Sequence, residues 1–289
     1  MIKLENTRIL GHRGARSEAL ENTLFGFQHA RSLQPRGLAG VEFDVQLTAD
    51  GYLVVFHDET LQRLCGIQSR VDQLTLDEIQ RHLQSGHQII TLDMLTQTTS
   101  LPSPLPSQGL PPFDKNAPHP LDSLYGISRA PKALTPKPQR STISDPPLTK
   151  FTHIELEIKT HDRTVYPNLI RALTRYLIDT PLASLPIVLT SFDVQLLAQL
   201  QRSKPLSRIP RGLLVRTPEL LASAPNTALQ LGCTRLGMYY PLITQSIIQT
   251  AHRYGLPVSA WTVNDIEIAK QLVQWQVDVI VTDIPTQFL

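Results

Sequence analysis

The sequence predicts an α/β fold, a (β/α)₈ or TIM barrel, on three observations. Short apolar runs alternate with amphipathic helical patterns along most of the 289 residues, and repeated strand–helix units favour a parallel sheet. Right-handed crossovers allow such a sheet to close on itself. The length and the 41% hydrophobic content suit one barrel with a sizeable core. We therefore expect residues 1–289 to form a single domain.

Nine runs qualify as strands, one more than a barrel holds. The link from Asp44 to Leu53 is short for a connection between parallel strands. The sequence leaves open which run lies outside the barrel. The runs lie at residues 9–10, 41–45, 53–56, 152–159, 187–190, 212–215, 236–239, 257–261 and 278–281.

Capping residues mark where the predicted helices begin, because their side chains accept hydrogen bonds from the first free backbone amides. Thr75 followed by Glu78 predicts a capping box. Short helices are expected from Leu92 to about Thr98 and from Pro218 to Ala222. The other predicted caps are Asn22 or Thr23, Thr164, Thr244, and Asn264 or Asp265.

Residues 101–148 differ from the rest of the chain. They contain 12 of its 23 prolines and show no sustained helix or strand period. Such a stretch buries too little apolar surface to offset its ordering entropy. It is predicted to be a long surface insertion, with a lid or docking arm as the alternative.

Composition excludes some partners. The net charge of +2, without a run of Lys or Arg, argues against nucleic acid. No membrane-length apolar run or apolar leader is present, so no stable membrane insertion is expected. Cys65 and Cys233 lack metal-like spacing and are expected to be free thiols in a reducing, cytoplasmic compartment. The oligomeric state stays open.

Charged side chains follow the predicted strands. Period-2 alternation places Glu42 and Asp44 on one face of a strand, and Glu155, Glu157 and Lys159 on one face of another. An acid pair with this spacing is more often the wet face of an antiparallel sheet. In a barrel, however, the active site lies at the carboxyl ends of the strands. The residues at or near such ends are His12, Arg13, Glu42, Asp44, His57, Glu157, Lys159 and Trp261.

These residue types indicate a chemistry. Crowded acids raise each other's pKa unless a cation lies among them, and oxygen ligands suit Mg²⁺ or Ca²⁺ rather than Zn²⁺. Such an ion, with Arg13 and Lys159, would neutralise a phosphodiester. His12 and His57 would supply a general base and a general acid, and the residues alone leave open which histidine takes which role. Taken alone, either histidine could instead have a structural role, with its ring hydrogen-bonded at the end of a strand.

Five short motifs occur in order within about fifty residues, and together they resemble the glycerophosphodiester phosphodiesterase family. Later blocks at residues 191–193, 261–264 and 282–285 also match, so the resemblance covers the chain except the 101–148 insertion. The five motifs are His12-Arg13-Gly14, Glu21-Asn22-Thr23, Glu42-x-Asp44, Thr48-x-Asp50-Gly51 and His57-Asp58.

The resemblance implies a TIM barrel that hydrolyses a small-molecule glycerophosphodiester to sn-glycerol 3-phosphate and an alcohol, using one divalent cation. It implies that Glu42, Asp44 and Glu157 bind the metal, and that His12 is the base and His57 the acid. The phosphoryl oxygens would be held by Arg13 and Lys159. Glu21 would support the site, and Trp261 would be either core packing or a wall for the glycerol moiety.

Two departures from the family pattern bear on the site. Glu155 stands where the family often has asparagine, which leaves open whether Glu155 or Glu157 ligates the metal and which ion is preferred. Leu20 replaces a proline before Glu21, with little consequence expected.

Three other functions fit these residues less well. A phospholipase D-like phosphodiesterase acting on lysophospholipid headgroups would need an apolar approach to the barrel mouth, which the sequence does not show clearly. A non-catalytic barrel would be expected to lack one of the histidines or acids, and all are present. A metal-dependent sugar isomerase does not account for Arg13 beside His12.

Overall fold

The structure is a computed structural model that describes residues 6–83, 89–96 and 146–289. Eight strands pair in parallel, and the pairing of β1 with both β2 and β9 closes them into a barrel. The predicted fold class is confirmed. The strands are β1 (Arg8–His12), β2 (Gly40–Leu47), β3 (Leu53–Val55), β4 (His153–Ile158), β5 (Ile187–Ser191), β6 (Arg211–Val215), β7 (Arg235–Tyr239), β8 (Val258–Trp261) and β9 (Val279–Thr282).

β3 is the run outside the barrel. It pairs antiparallel with β2, with Val45 opposite Val55, because the short link makes a hairpin rather than a crossover. The chain from β3 to residue 96 then packs a small apolar cluster of its own, including Val54, Phe56 and Ile79. We call the described residues 53–83 and 89–96 the β3 excursion.

Helices follow most barrel strands, and two more, Gln62–Cys65 and Leu76–His82, lie in the β3 excursion. The helices of the described residues are α1 (Leu24–Ser32), α2 (Gln62–Cys65), α3 (Leu76–His82), α4 (Tyr166–Ile178), α5 (Val194–Arg202), α6 (Pro218–Leu221), α7 (Ala224–Gln230), α8 (Gln245–Arg253) and α9 (Ile266–Gln274).

Most of the predicted helix starts are confirmed. The capping box forms at Thr75, and Thr23, Thr244 and Asp265 accept the expected amide hydrogen bonds. The Thr164 prediction is wrong, because Val165 occupies the cap position and the Thr164 hydroxyl instead accepts from the His161 amide.

Two short helices differ from the prediction. The segment predicted to run from Leu92 to Thr98 is a 3₁₀ turn over Leu92–Thr96, and Gln97 and Thr98 lie outside the described residues. The helix predicted over Pro218–Ala222 ends at Leu221, and α7 follows it unpredicted.

The predicted insertion ends earlier than residue 148. Leu148 is fully buried in the main core, and the Pro146 carbonyl accepts a hydrogen bond from Arg31 Nη1 at 3.1 Å. Residues 146–148 are therefore part of the barrel's packing. The rest of the predicted insertion, 101–145, lies outside the described residues.

Alternation along β2 decides which side chains reach the site. Val41, Phe43 and Val45 are fully buried in the main core, where Phe43 meets Phe27 of α1 edge to face at 5.2 Å. The intervening Glu42 and Asp44 must then point into the barrel.

The two cysteines form no disulfide within the part of the chain that the structure describes, and both Cys65 and Cys233 are buried. Among the described residues, every helix is too short or too polar to cross a membrane. The cytoplasmic location stays a prediction.

Candidate active site

Three buried carboxylates meet at the carboxyl ends of two neighbouring strands. Glu42 and Asp44 lie on β2, and Glu157 lies on β4, directly opposite Asp44 in the strand register. One oxygen from each can be chosen so that all three lie within 4.8 Å of one another. We call these three residues the acidic cluster.

The cluster is electrostatically crowded. Burial, together with Asp44 and Glu157, raises the pKa of Glu42 well above its ordinary value. Burial also raises the pKa of Glu157, although Lys159 opposes it. Burial acts the same way on Asp44, but Lys159, His57 and Arg13 outweigh it and hold that pKa well below its ordinary value. A divalent cation would relieve this repulsion.

The cluster also offers an unused ligand atom. Oε2 of Glu42 is buried and has no hydrogen-bond partner among the described residues. A buried polar atom without a partner is costly. Three carboxylates with a free oxygen are the donor set that a hard cation takes, so these residues fit a divalent ion.

Two cations border the cluster. Lys159 Nζ lies 3.0 Å from Asp44 and 2.6 Å from Glu157. Arg13 is almost fully buried, with Nε 3.3 Å from Asp44 and Nη1 donating to Glu21 at 2.8 Å. Glu21 also contacts Arg16 and Arg63, so its carboxylate joins three guanidinium groups beside the cluster, and its supporting role stays a prediction.

A tight turn after β1 places Arg13. Arg13 itself adopts a left-handed backbone conformation with φ 50°, and its carbonyl accepts from the Asn22 amide at 3.0 Å. A Cβ on Gly11 would lie 1.9 Å from the Gly14 carbonyl oxygen. The glycine at position 11 is therefore required for this turn.

His12 is oriented by a residue to which the sequence reading gave no role. Its Nδ1 lies 2.5 Å from Oδ1 of Asp283, and Oδ2 of Asp283 accepts from Asn264 at 2.8 Å. His12 Nε2 lies 3.7 Å from Glu42, so the ring spans from Asp283 to the acidic cluster. Burial lowers the pKa of His12 although Asp283 opposes it. The sequence feature that points to Asp283 as a site residue is its position directly after β9, at the carboxyl end of a barrel strand.

His57 repeats this arrangement from the β3 excursion. Its Nδ1 lies 2.7 Å from Oδ1 of Asp58. Burial, with Arg13 and Lys159 nearby, lowers the pKa of His57 to about 3. Both histidines thus hold Nδ1 against a carboxylate and line the same pocket as the acidic cluster.

Glu155 lies apart from the acidic cluster. Its Oε1 accepts from Ser259 Oγ at 2.5 Å and lies 3.1 Å from His153 Nε2 and 3.4 Å from Arg235 Nη1. Burial opposes ionisation, but these partners together lower the pKa of Glu155. The structure thus brings Glu157, and not Glu155, together with Glu42 and Asp44.

An aromatic wall completes the pocket. Trp261, at the end of β8, meets Phe192 edge to face with ring centroids 5.6 Å apart. Both rings line the pocket with Leu214 and Arg216. Trp261 is only half-buried, and it packs against a core cluster as well as lining the pocket. Phe192 lies in the 191–193 motif that matches the family, but the sequence does not indicate a role for it.

Comparison with known proteins decides the family. The chain matches the model of the glycerophosphoryl diester phosphodiesterase family over residues 12–287. The chain belongs to this family. Membership confirms the resemblance seen in the sequence and the enzyme class, a phosphoric diester hydrolase acting on glycerophosphodiesters.

Several relatives in the family are similar over different lengths. A glycerophosphodiester phosphodiesterase of Caldanaerobacter subterraneus subsp. tengcongensis is 27% identical over 283 residues, covering 96% of this chain and 95% of the relative. The human protein named lysophospholipase D GDPD1 is 38% identical over 74 residues, covering 26% of this chain and 23% of the relative.

Solved structures agree on the fold. A putative glycerophosphoryl diester phosphodiesterase from Silicibacter pomeroyi has a TM-score of 0.68 at 24% identity, covering 96% of this chain and 90% of that one. An Oleispira antarctica phosphodiesterase, solved with the product sn-glycerol-3-phosphate, has a TM-score of 0.68 at 22% identity, covering 97% and 94%.

Proposed function

We propose that this chain hydrolyses glycerophosphodiesters to sn-glycerol 3-phosphate and an alcohol, by acid–base catalysis between His12 and His57 beside one bound divalent cation. One observation carries the proposal. The two histidines, each with Nδ1 held by a carboxylate, line one pocket together with the acidic cluster.

The acidic cluster is the proposed metal site. Glu42, Asp44 and Glu157 would hold Mg²⁺ or Ca²⁺, both of which prefer oxygen ligands. The bound ion would neutralise charge that develops on the phosphoryl oxygens. The partnerless Oε2 of Glu42 supports this assignment.

The two cations are proposed to hold the phosphate. Lys159 Nζ reaches both Asp44 and Glu157 and lines the pocket. Arg13 uses Nη1 for Glu21 and Nε towards Asp44, which leaves Nη2 for a phosphoryl oxygen. A fork of this kind fixes an anion's orientation as well as its charge.

Each histidine would use Nε2 for proton transfer. Asp283 accepts the Nδ1 hydrogen bond of neutral His12, which leaves Nε2 to take the proton of the attacking group. That group is either water, or the substrate's own glycerol hydroxyl followed by water that opens the cyclic phosphate. His57 would protonate the leaving alcohol. Its pKa is depressed by burial and then by Arg13 and Lys159, and a bound phosphodiester would offset those cations and raise it.

The aromatic wall would hold the apolar side of the glycerol moiety. Trp261 and Phe192 line the same pocket as the charged groups, with Arg216 stacked over the Phe192 ring. A substrate with one anionic and one weakly polar end matches this mixed lining.

The decisive experiment measures sn-glycerol 3-phosphate release from a panel of glycerophosphodiesters with Mg²⁺, Ca²⁺ or EDTA. We expect release with a divalent ion and its loss with EDTA. His12→Ala and His57→Ala should each lose on the order of 10²–10⁴-fold in rate. A nitrophenyl diester needs little leaving-group protonation and should rescue the acid variant alone. Near-normal rates for both variants on a natural diester would contradict the mechanism.

A second candidate, phospholipase D-like action on lysophospholipids, is favoured by exposed apolar residues near the mouth. Val165, Val194 and Leu220 follow β4, β5 and β6 and are 56%, 50% and 51% exposed. Because helices begin on the active-site face of a barrel, an acyl chain could lie along these residues. Choline release from lysophosphatidylcholine micelles, compared with glycerophosphocholine, separates the two candidates.

A further inference from the structure

Arg63 of α2 contacts both supporting carboxylates of the site. Its Nε donates to Oδ2 of Asp58 at 2.6 Å, and its Nη1 and Nη2 donate to the two oxygens of Glu21 at 2.9 and 2.7 Å. The pairing with Glu21 is bidentate, the geometry in which arginine binds carboxylates best. Neither the family motifs discussed above nor the proposed mechanism uses Arg63.

Through these contacts Arg63 links the surroundings of His57 to those of Arg13. Asp58 holds Nδ1 of His57, and Glu21 holds Nη1 of Arg13. One guanidinium thus connects the histidine of the β3 excursion with the arginine at the end of β1. Glu21 is 1% exposed, so its charge depends on such partners.

His57 needs such a connection more than His12 does. Asp283, which holds His12, directly follows barrel strand β9 and is itself held by Asn264. His57 instead follows β3, outside the barrel. Gln46 ties the backbone there to β2, through the carbonyls of residues 56 and 58, and Asp58 contacts the imidazole itself at Nδ1.

We infer that Arg63 is a positioning residue, which orients His57 for proton transfer by fixing Asp58 against Glu21. The inference rests on the proposed function of His57. It makes no claim that Arg63 touches substrate. Residues that orient a functional histidine typically contribute about 10- to 100-fold in activity.

The test is a double-mutant cycle on a natural glycerophosphodiester. Arg63→Ala should lower kcat by roughly 10- to 100-fold with KM little changed. In the His57→Ala background the same substitution should cost less than about 3-fold, because the group that it positions is gone. In the His12→Ala background it should keep its full cost.

Two further measurements separate positioning from folding. Guanidinium ion added to Arg63→Ala should restore part of kcat, and Arg63→Lys should retain more activity than Arg63→Ala. Arg70→Ala is the matched control, because Arg70 lies in the same excursion but pairs with Glu59, Asp72 and Asp162. It should leave kcat unchanged.

An equal cost of Arg63→Ala in the wild-type and His57→Ala backgrounds would overturn the inference, as would full activity of Arg63→Ala. Either result leaves the proposed function intact, provided that His57→Ala is itself impaired. If the wild-type protein releases no sn-glycerol 3-phosphate, or His57→Ala is fully active, the proposed function fails first.

Discussion

Glu157 and Glu155 lie two residues apart on the same face of β4, yet their surroundings are opposite. Glu157 stands in the acidic cluster, where burial raises its pKa. Glu155 is satisfied by Ser259, His153 and Arg235, which lower its pKa. Three carboxylates share the neighbouring cations around Glu157, and its pKa stays raised although Lys159 lies 2.6 Å away. Around Glu155 a single carboxylate has enough partners to lower its pKa.

The largest expected effect separates these two glutamates by activity. Glu157→Gln should lower kcat/KM by at least about 100-fold, because a lost metal ligand removes several kcal/mol of transition-state stabilisation. Glu155→Gln, the matched control on the same strand face, should change it far less. Steady-state kinetics on glycerophosphocholine with Mg²⁺ or Ca²⁺ decides this. A larger loss in Glu155→Gln would show that the two roles are reversed.

The next effect is the response to a cation. A ligand at 100 times its Kd stabilises the folded state by about 2.7 kcal/mol, and 1 kcal/mol shifts Tm by about 2–4 °C in a domain of this size class. Saturating Mg²⁺ or Ca²⁺ should therefore raise the Tm of the EDTA-treated protein by roughly 5–10 °C. The same addition should do little for Glu157→Gln. An equal rise in both proteins would place the bound ion elsewhere.

A smaller effect concerns the hydrogen bonds that Glu155 receives. Ser259→Ala removes the hydroxyl that donates to Glu155 at 2.5 Å, and a hydrogen bond to a charged group contributes about 1.5–3 kcal/mol. The free energy of unfolding, from urea titration, should fall by that amount while kcat stays near the wild-type value. A folded Ser259→Ala protein with a collapsed kcat would show that Glu155 belongs to the chemistry after all.

The smallest effect is a difference in pH dependence. The pKa of Glu42 is raised in the folded, metal-free protein, so its contribution to stability is present below the unfolded pKa and is lost as pH rises through the folded pKa. Glu42→Gln should remove this loss.

In EDTA, the Tm of Glu42→Gln minus that of wild type should therefore grow between pH 5 and 8. The histidines, whose lowered pKa values give the opposite trend, are present in both proteins, so the difference reports mainly on Glu42. A Tm difference that shrinks with rising pH would contradict the crowding of the cluster.

The features of this molecule that the sequence predicted from its own pattern are those that depend on residues close together along the chain. The alternation of Glu42 and Asp44 with Val41, Phe43 and Val45 depends only on the two-residue repeat of a strand, and the cap at Thr75 depends only on residues within one turn. The succession of strands and helices likewise predicted the barrel class, whereas the members of the acidic cluster were predicted from the family motifs that the chain resembles. The alternation also listed Glu155 with Glu157 and could not rank them.

Only the closed barrel decided which charges meet. His12 and Asp283 are 271 residues apart, and they meet because β1 pairs with β9. Glu155 and Ser259 are 104 residues apart, and they meet because β4 faces β8 across the barrel interior. Closure likewise left β3 outside and made Leu148 part of the core. The sequence by itself determined which faces carry charge, because that follows from neighbours along the chain. The tertiary structure alone decided which of those charges gain a second, distant partner, because Asp283, Ser259 and Arg235 lie on or directly after other strands.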